Sequence, residues 1–230
     1  MSPHRNYTHK HRAARTIRRT GCPAVFLLPP LAVILFGFVF LFLSGKFNSP
    51  TASQVYGSGA SAQPGVLAPF FSHSVQFWGA SIEKWANRWD LDVNLIATVM
   101  QIESCGDPEA VSRAGAAGLF QVMPFHFIEG EDPTNPETNA LRGLNYLRSS
   151  FVQADGNIRQ TLAGYNGGIT LIGSDETSWP AETLQYAYWG IGIYQEAQQG
   201  IDQSKTLREW LNQGGSRLCR QAGQRLGVRN

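Results

Sequence analysis

Apolar residues recur at helical spacing across most of the chain after residue 70, whereas no segment shows sustained alternation of apolar and polar residues. The patterns over 72–89 and 92–104 each place several apolar side chains on one face of a helix. Later helices are predicted over 138–151, 157–165, 206–211 and 217–226, with another beginning at Pro180. A short helix is expected over 118–122, ended by Pro124. This part of the chain is therefore predicted to be mostly α-helical, with little or no β-structure.

The segment 24–43 differs from the rest, because its twenty residues include no charged or polar side chain. A helix of that length can cross the hydrocarbon core of a bilayer. Six basic residues precede it and only Lys46 follows closely, so the positive-inside rule places the N-terminus in the cytoplasm and the later chain outside. We therefore predict a single-pass protein of the cell membrane. A cleaved signal peptide is the alternative, although its apolar core would be unusually long.

The rest of the chain divides into a basic cytoplasmic N-terminus at 1–23, a linker at 44–69 and one domain at 70–230. The linker is rich in Ser, Ala, Gly, Pro and Gln, which is typical of a flexible segment. All 17 acidic residues but only 12 of the 19 basic residues follow Lys46. The domain is therefore acidic, and we predict that it does not bind nucleic acid.

Glu103 is the last residue on the apolar face of the helix predicted over 92–104. Ile96, Val99 and Met100 share this face, because they precede the glutamate by seven, four and three residues. A carboxyl group at the end of an apolar face is costly to ionise. Its pKa therefore rises toward the range needed by a proton donor near neutral pH. The alternative is a glutamate that turns to solvent at a fraying helix end.

Three blocks of sequence around and after Glu103 resemble the SLT domain of lytic transglycosylases, which is related to goose-type lysozyme. The first block begins at Glu103-Ser104 and ends with Gly-Leu-Phe-Gln-Val-Met-Pro at 118–124. The second is Ala-Gly-Tyr-Asn-Gly-Gly at 163–168, and the third contains Glu182, Thr183 and Tyr186. The resemblance covers about 91–194 and implies a lysozyme-like helical fold. It also implies cleavage of the β-1,4 bond between N-acetylmuramic acid (MurNAc) and N-acetylglucosamine (GlcNAc) in peptidoglycan.

The resemblance gives Glu103 the role of a single catalytic acid that later acts as a base. The product would carry a 1,6-anhydro-MurNAc end, formed without water, metal or cofactor. By motif position the implied substrate-binding residues, each of which could instead serve only packing, are Ser112, Gln121, Met123, Tyr165, Asn166 and Tyr186. Two other functions stay open. One is a muramidase of the same fold, which would need a second carboxylate, and the other is a non-catalytic peptidoglycan-binding module.

Two cysteines, Cys105 and Cys219, would lie outside the membrane, where disulfides persist. We predict that they pair and tie the end of the chain to the loop after Glu103. Free thiols are an alternative. Cys105 as a nucleophile is a weaker alternative, because no histidine motif accompanies it.

No metal or cofactor is predicted, and the sequence does not identify protein partners. The acidic residues Glu129, Glu131 and Asp132 lie close together, but their spacing matches no EF-hand loop. A solvated turn is the simpler interpretation of these residues. His126 stands alone in the sequence, and we expect it to have a structural role.

Overall fold

The computed structural model describes residues 66–229. The predicted N-terminus at 1–23, the predicted membrane span at 24–43 and most of the linker at 44–69 lie outside this range. Within 66–229, no helix combines the length and the apolar character needed to cross a bilayer. The anchor and its orientation remain predictions.

The domain is built from α-helices joined by loops and short 3-10 turns. In chain order the helices are α1 (His73–Gln76), α2 (Gly79–Trp89), α3 (Val93–Glu103), α4 (Pro136–Gln153), α5 (Ile158–Gly167), α6 (Ala181–Gln198), α7 (Lys205–Trp210) and α8 (Ser216–Leu226). The 3-10 turns are Pro124–His126, Ile169–Leu171 and Glu176–Ser178, and a π-turn at Leu211–Gly215 joins α7 to α8. Between residues 66 and 229 there is no strand, only isolated bridges. The prediction of a mostly helical domain is confirmed.

Helix α3 lies at the centre of the domain and packs against α1, α2 and α6. It begins where predicted, because the Asp92 carboxylate accepts hydrogen bonds from the backbone N–H groups of Asn94 at 2.8 Å and Leu95 at 3.2 Å. Every residue from 93 to 101 is buried. The helix is therefore enclosed by protein on all sides, and Glu103 is its last residue.

Two local predictions were wrong. The helix expected over 72–89 is divided into α1 and α2. The helix expected over 118–122 is absent, because the backbone turns at Gly118 (φ 77°) and Gln121 (φ 45°), angles that a right-handed helix does not allow. Ala117 and Val122 instead exchange two backbone hydrogen bonds, of 3.0 and 2.9 Å, across this turn.

The end of the chain is attached to the loop that follows α3. Cys219 in α8 forms a disulfide with Cys105. The buried Asp107 carboxylate accepts a hydrogen bond from the Gln221 amide at 2.9 Å and pairs with the Arg225 guanidinium at 2.9 Å. Helix α8 thereby holds the loop that begins two residues after Glu103.

Candidate active site

A cleft of about 280 Å³ is formed by the end of α3, the loop over 112–126, and helices α4, α5 and α6. Its lining consists of Glu103, Ser112, Ala114, Ala116, Gln121, Val122, Met123, His126, Gly143, Tyr146, Tyr165, Asn166 and Glu182. The structure therefore brings together six of the seven residues that the sequence analysis selected for catalysis and substrate binding. The seventh, Tyr186, is buried beside the cleft and is not part of its lining.

The Glu103 carboxyl group faces the cleft but is otherwise surrounded by protein. The pKa of Glu103 is raised from 4.5 to about 8. Burial is the largest cause, contact with the Tyr186 hydroxyl partly offsets it, and the negative charge of Glu182 adds a smaller increase. The side chain therefore holds its proton at neutral pH. A carboxylic acid in this state can donate a proton to a ligand in the cleft.

Two tyrosines flank Glu103. The Tyr165 hydroxyl donates a 2.7 Å hydrogen bond to the Phe120 carbonyl, which joins α5 to the loop below the cleft. The Tyr186 hydroxyl has no partner of good hydrogen-bond geometry among residues 66–229, yet it is close enough to lower the pKa of Glu103. Burial and the charge of Glu103 hold the pKa of both phenols well above 10. Both hydroxyls therefore remain neutral.

Ser112 and Gln121 shape the loop that forms one wall of the cleft. The Ser112 hydroxyl accepts a 3.0 Å hydrogen bond from the backbone of Ala116. The Gln121 amide nitrogen donates to the carbonyls of Ala110 and Gly118, each at 3.1 Å. These hydrogen bonds stabilise the conformation of the loop, so both side chains have a structural role besides any contact with a ligand.

The same loop is held from below by Asn139, which the sequence analysis missed. This buried side chain in α4 accepts a 2.9 Å hydrogen bond from the backbone of Phe120 and donates a 2.7 Å bond to the carbonyl of Ala117. Gly118 packs so tightly here that a Cβ atom would lie 2.8 Å from the carbonyl oxygen of Pro133. The loop therefore requires glycine at position 118.

Asn166 lines the opposite side of the cleft, near the end of α5. Its side-chain oxygen accepts a 2.9 Å hydrogen bond from the Thr183 hydroxyl of α6. The helix ends directly afterwards at Gly168, whose φ of 104° favours glycine. Asn166 is therefore oriented by the neighbouring helix rather than by its own.

Three further residues with ring or carboxylate side chains line the cleft, although the sequence analysis gave none of them a catalytic or binding role. His126 was expected to be structural, but it lies in the lining and packs on Tyr146, with ring centroids 5.0 Å apart. Glu182 places a second carboxylate in the cleft. Glu182 belongs to the third sequence block, which was the signal that could have identified it, whereas nothing in the sequence singles out Tyr146.

The described part of the chain contains no group of three or more His, Cys, Asp or Glu side chains able to hold a metal ion. The acidic segment that includes Glu131 forms an ion pair with α4. The Glu131 carboxylate accepts two hydrogen bonds from the Arg142 guanidinium, at 2.8 and 2.7 Å, and these bonds lower the pKa of Glu131. This pair fixes the acidic loop to α4.

Residues 80–181 match the family model of the transglycosylase SLT domain. A relative called transglycosylase, from Enterobacteria phage PRD1, is 32% identical, over 50% of this chain and 42% of the relative. An endo-type membrane-bound lytic murein transglycosylase A from Klebsiella pneumoniae is 43% identical, over 30% of this chain and 41% of the relative. The chain thus spans about two fifths of the length of these curated relatives.

Among solved structures, the chain is similar to an inactive mutant of the lytic transglycosylase Slt from Pseudomonas aeruginosa. The sequences are 21% identical, the match covers 66% of this chain and 24% of that one, and the TM-score is 0.39. The likeness to lytic transglycosylases rests on the sequence matches. Residues 80–181 are similar to the transglycosylase SLT domain, and the relatives matched by this part of the chain are named as transglycosylases.

Proposed function

We propose that this protein is a peptidoglycan lytic transglycosylase that cleaves the MurNAc–GlcNAc β-1,4 bond with Glu103 as its single acid and base. The observation that carries the proposal is a protonated glutamate, with a pKa of about 8, facing a cleft in a domain similar to the SLT domain. The names of the relatives support the reaction class. The predicted anchor at 24–43 would hold the domain at the outer face of the cell membrane.

In the first step, Glu103 donates its proton to the glycosidic oxygen as the bond to the MurNAc anomeric carbon breaks. The N-acetyl group of MurNAc assists at that carbon, so the protein need not supply a nucleophile. Burial supports this step, because an acid with a pKa of about 8 is protonated at neutral pH before the substrate reacts.

In the second step, the ionised Glu103 removes the proton from the C6 hydroxyl of the same sugar. The C6 oxygen bonds to the anomeric carbon as the N-acetyl oxygen leaves that carbon, which closes the 1,6-anhydro ring. The proton taken from the C6 hydroxyl stays on Glu103. No water is consumed, and neither a metal nor a cofactor takes part. The proton that leaves in the first step is replaced in the second, and the enzyme returns to its starting state.

The neutral hydroxyl of Tyr186 supports both steps, because it lies beside the carboxyl group as that group ionises and regains its proton. Tyr165 packs against Tyr146 with tilted rings whose centroids are 5.8 Å apart, and it forms part of the cleft wall. The proposed substrate contacts are those of the cleft lining at Ser112, Gln121, Met123 and Asn166.

One observation favours a second candidate, a muramidase of the same fold. Hydrolysis with inversion requires a second carboxylate to activate water, and Glu182 lines the same cleft as Glu103. In the hydrolase, Glu182 would act as that base. In the transglycosylase, its main effect is to raise the pKa of Glu103.

The two candidates differ in which carboxylate is essential. The full-length protein and its Glu103→Gln and Glu182→Gln variants would each be incubated with purified peptidoglycan, and the soluble products measured by chromatography. The transglycosylase predicts no release with Glu103→Gln and substantial release with Glu182→Gln. Loss of release in both variants would favour the muramidase. Normal release by Glu103→Gln would contradict both. Absence of release by the unaltered protein, despite binding to the peptidoglycan, would favour a non-catalytic module.

A further inference from the structure

Phe125 is a large aromatic side chain at the surface beside the cleft. It belongs to the 3-10 turn Pro124–His126, two residues after the cleft residue Met123. The side chain is 75% exposed, whereas Phe120 in the same loop is fully buried. A single exposed apolar residue is common, whereas contiguous exposed apolar patches mark ligand-binding grooves and other interaction sites. Phe125 therefore contributes little to the core and is available to a ligand.

Phe125 is the outermost member of a row of four rings that leads into the cleft. Its ring lies 4.5 Å from that of His126, which lies 5.0 Å from Tyr146, which in turn lies 5.8 Å from Tyr165. The three inner rings line the cleft together with Glu103. The row thus runs without a gap from exposed surface to the proposed catalytic acid.

The small volume of the cleft indicates why a row of aromatic rings that extends beyond it would contribute to glycan binding. The cleft volume of about 280 Å³ is just below the range for small-molecule sites, about 300–1,000 Å³. A glycan strand is a polymer, so most of a bound strand must lie outside a cleft of this size. Sugar units beyond the cleft need a surface on which to rest.

We propose that Phe125 forms an outer sugar-binding subsite, where its ring stacks on the C–H face of an N-acetylhexosamine unit of a strand bound in the cleft. A pyranose ring presents an apolar face of C–H bonds, and the negative face of an aromatic ring attracts their positive hydrogens. His126, Tyr146 and Tyr165 continue this aromatic surface toward Glu103. This proposal rests on the proposed function, since it assumes that the cleft binds a glycan.

The proposed subsite should affect the affinity only for glycan strands long enough to extend beyond the cleft. A strand too short to leave the cleft cannot reach Phe125, whereas a longer strand gains one stacking contact. Replacing Phe125 by alanine should therefore weaken binding of long strands only. Aromatic contacts of this kind correspond to about a two- to tenfold change in affinity.

The test measures binding apart from cleavage, in full-length protein carrying Glu103→Gln. Uncrosslinked GlcNAc–MurNAc strands, from a single disaccharide to several repeats, would be titrated by calorimetry into this protein with and without Phe125→Ala. Phe77→Ala is the matched control, because Phe77 is 55% exposed and absent from the cleft lining. Phe125→Trp, which keeps an aromatic face, is the rescue variant.

We expect Phe125→Ala to weaken only the longer strands, while Phe77→Ala and Phe125→Trp bind them as the parent does. Equal binding of long strands by Phe125→Ala and Phe77→Ala would overturn the subsite but leave the proposed function intact. Equal weakening at every length would also overturn it, because it would indicate a disturbed cleft. If the Glu103→Gln parent bound no strand of any length, the proposed function would fail and the subsite with it.

Discussion

The raised pKa of Glu103 predicts that this residue lowers the free energy of unfolding at neutral pH. Replacing Glu103 by glutamine should restore the lost stability. The folded protein holds the proton with a pKa of about 8, whereas the ordinary pKa of a glutamate, as in the unfolded chain, is 4.5. Unfolding therefore releases a proton between these pH values, so stability falls as the pH rises from 4.5 to 8. Below pH 4.5 the carboxyl group is protonated in both states, and the cost disappears.

The magnitude follows from the two pKa values, since each unit corresponds to 1.36 kcal/mol. At pH 7 the unfolded chain is almost fully ionised and the folded protein is mostly protonated. The difference is about 3 kcal/mol, as an upper bound, because the carboxyl group faces the cleft and is partly reached by water. Glutamine has the same shape and no charge, so the variant should be more stable than the unaltered protein by up to this amount at pH 7. At pH 4 this contribution of Glu103 to the free energy of unfolding should be close to zero, so the advantage of Glu103→Gln over the unaltered protein should be much smaller than at pH 7.

The assay is urea unfolding of the full-length protein at a series of pH values between 4 and 8, followed by circular dichroism. The control is Glu129→Gln, which removes an exposed glutamate of the acidic loop and should change stability by no more than about 0.5 kcal/mol. A stability difference between the unaltered protein and Glu103→Gln that did not grow with pH would refute the reasoning. It would mean that Glu103 is ionised in the folded state at neutral pH.

Three further predictions concern the surroundings of Glu103. Tyr186→Phe removes a contact that lowers the pKa of Glu103, so the alkaline limb of the pH–activity profile should move to higher pH. A move to lower pH would contradict the contact. Glu182→Gln removes a charge that raises this pKa, and the same limb should move to lower pH; an unchanged profile would count against the interaction. Replacing Cys105 and Cys219 together by alanine opens a disulfide across 114 residues, and urea unfolding should show a loss of up to about 5 kcal/mol. A loss below about 1 kcal/mol would argue that other contacts hold α8 in place.

The sequence was sufficient for those features that depend on local patterns. Helix α3 follows from an apolar run at helical spacing, and Glu103 follows as the last residue of that run. The apolar positions lie within the helix that they specify. No distant part of the chain is needed to recognise them.

The loop at 118–122 could not be derived in the same way. A short apolar run is compatible with several backbone conformations. A glutamine also does not indicate a positive φ, although Gln121 has one. The turn is stabilised by Asn139, which lies in a helix of a later segment. Its shape therefore depends on a contact that the sequence of the loop does not contain.

The cleft residues missed from sequence have the same explanation. His126 and Tyr146 come from a turn and a helix that meet only in the folded domain, and their ring contact brings both into the lining. Glu182 on α6 is different, because it belongs to the third sequence block and could have been selected from that motif. The chemistry of one residue can be recognised from a motif, whereas its neighbours are determined by how the helices pack.

The most direct test of the central claim is the origin of the oxygen at the new MurNAc end. Peptidoglycan would be digested by the full-length protein in water enriched in heavy oxygen, and the released muropeptides weighed by mass spectrometry. The account predicts unlabelled products lighter than hydrolytic fragments by the mass of one water molecule, because the C6 oxygen of the sugar closes the ring. Labelled reducing ends would show that water attacks the anomeric carbon and would contradict a mechanism with Glu103 as the only carboxylate.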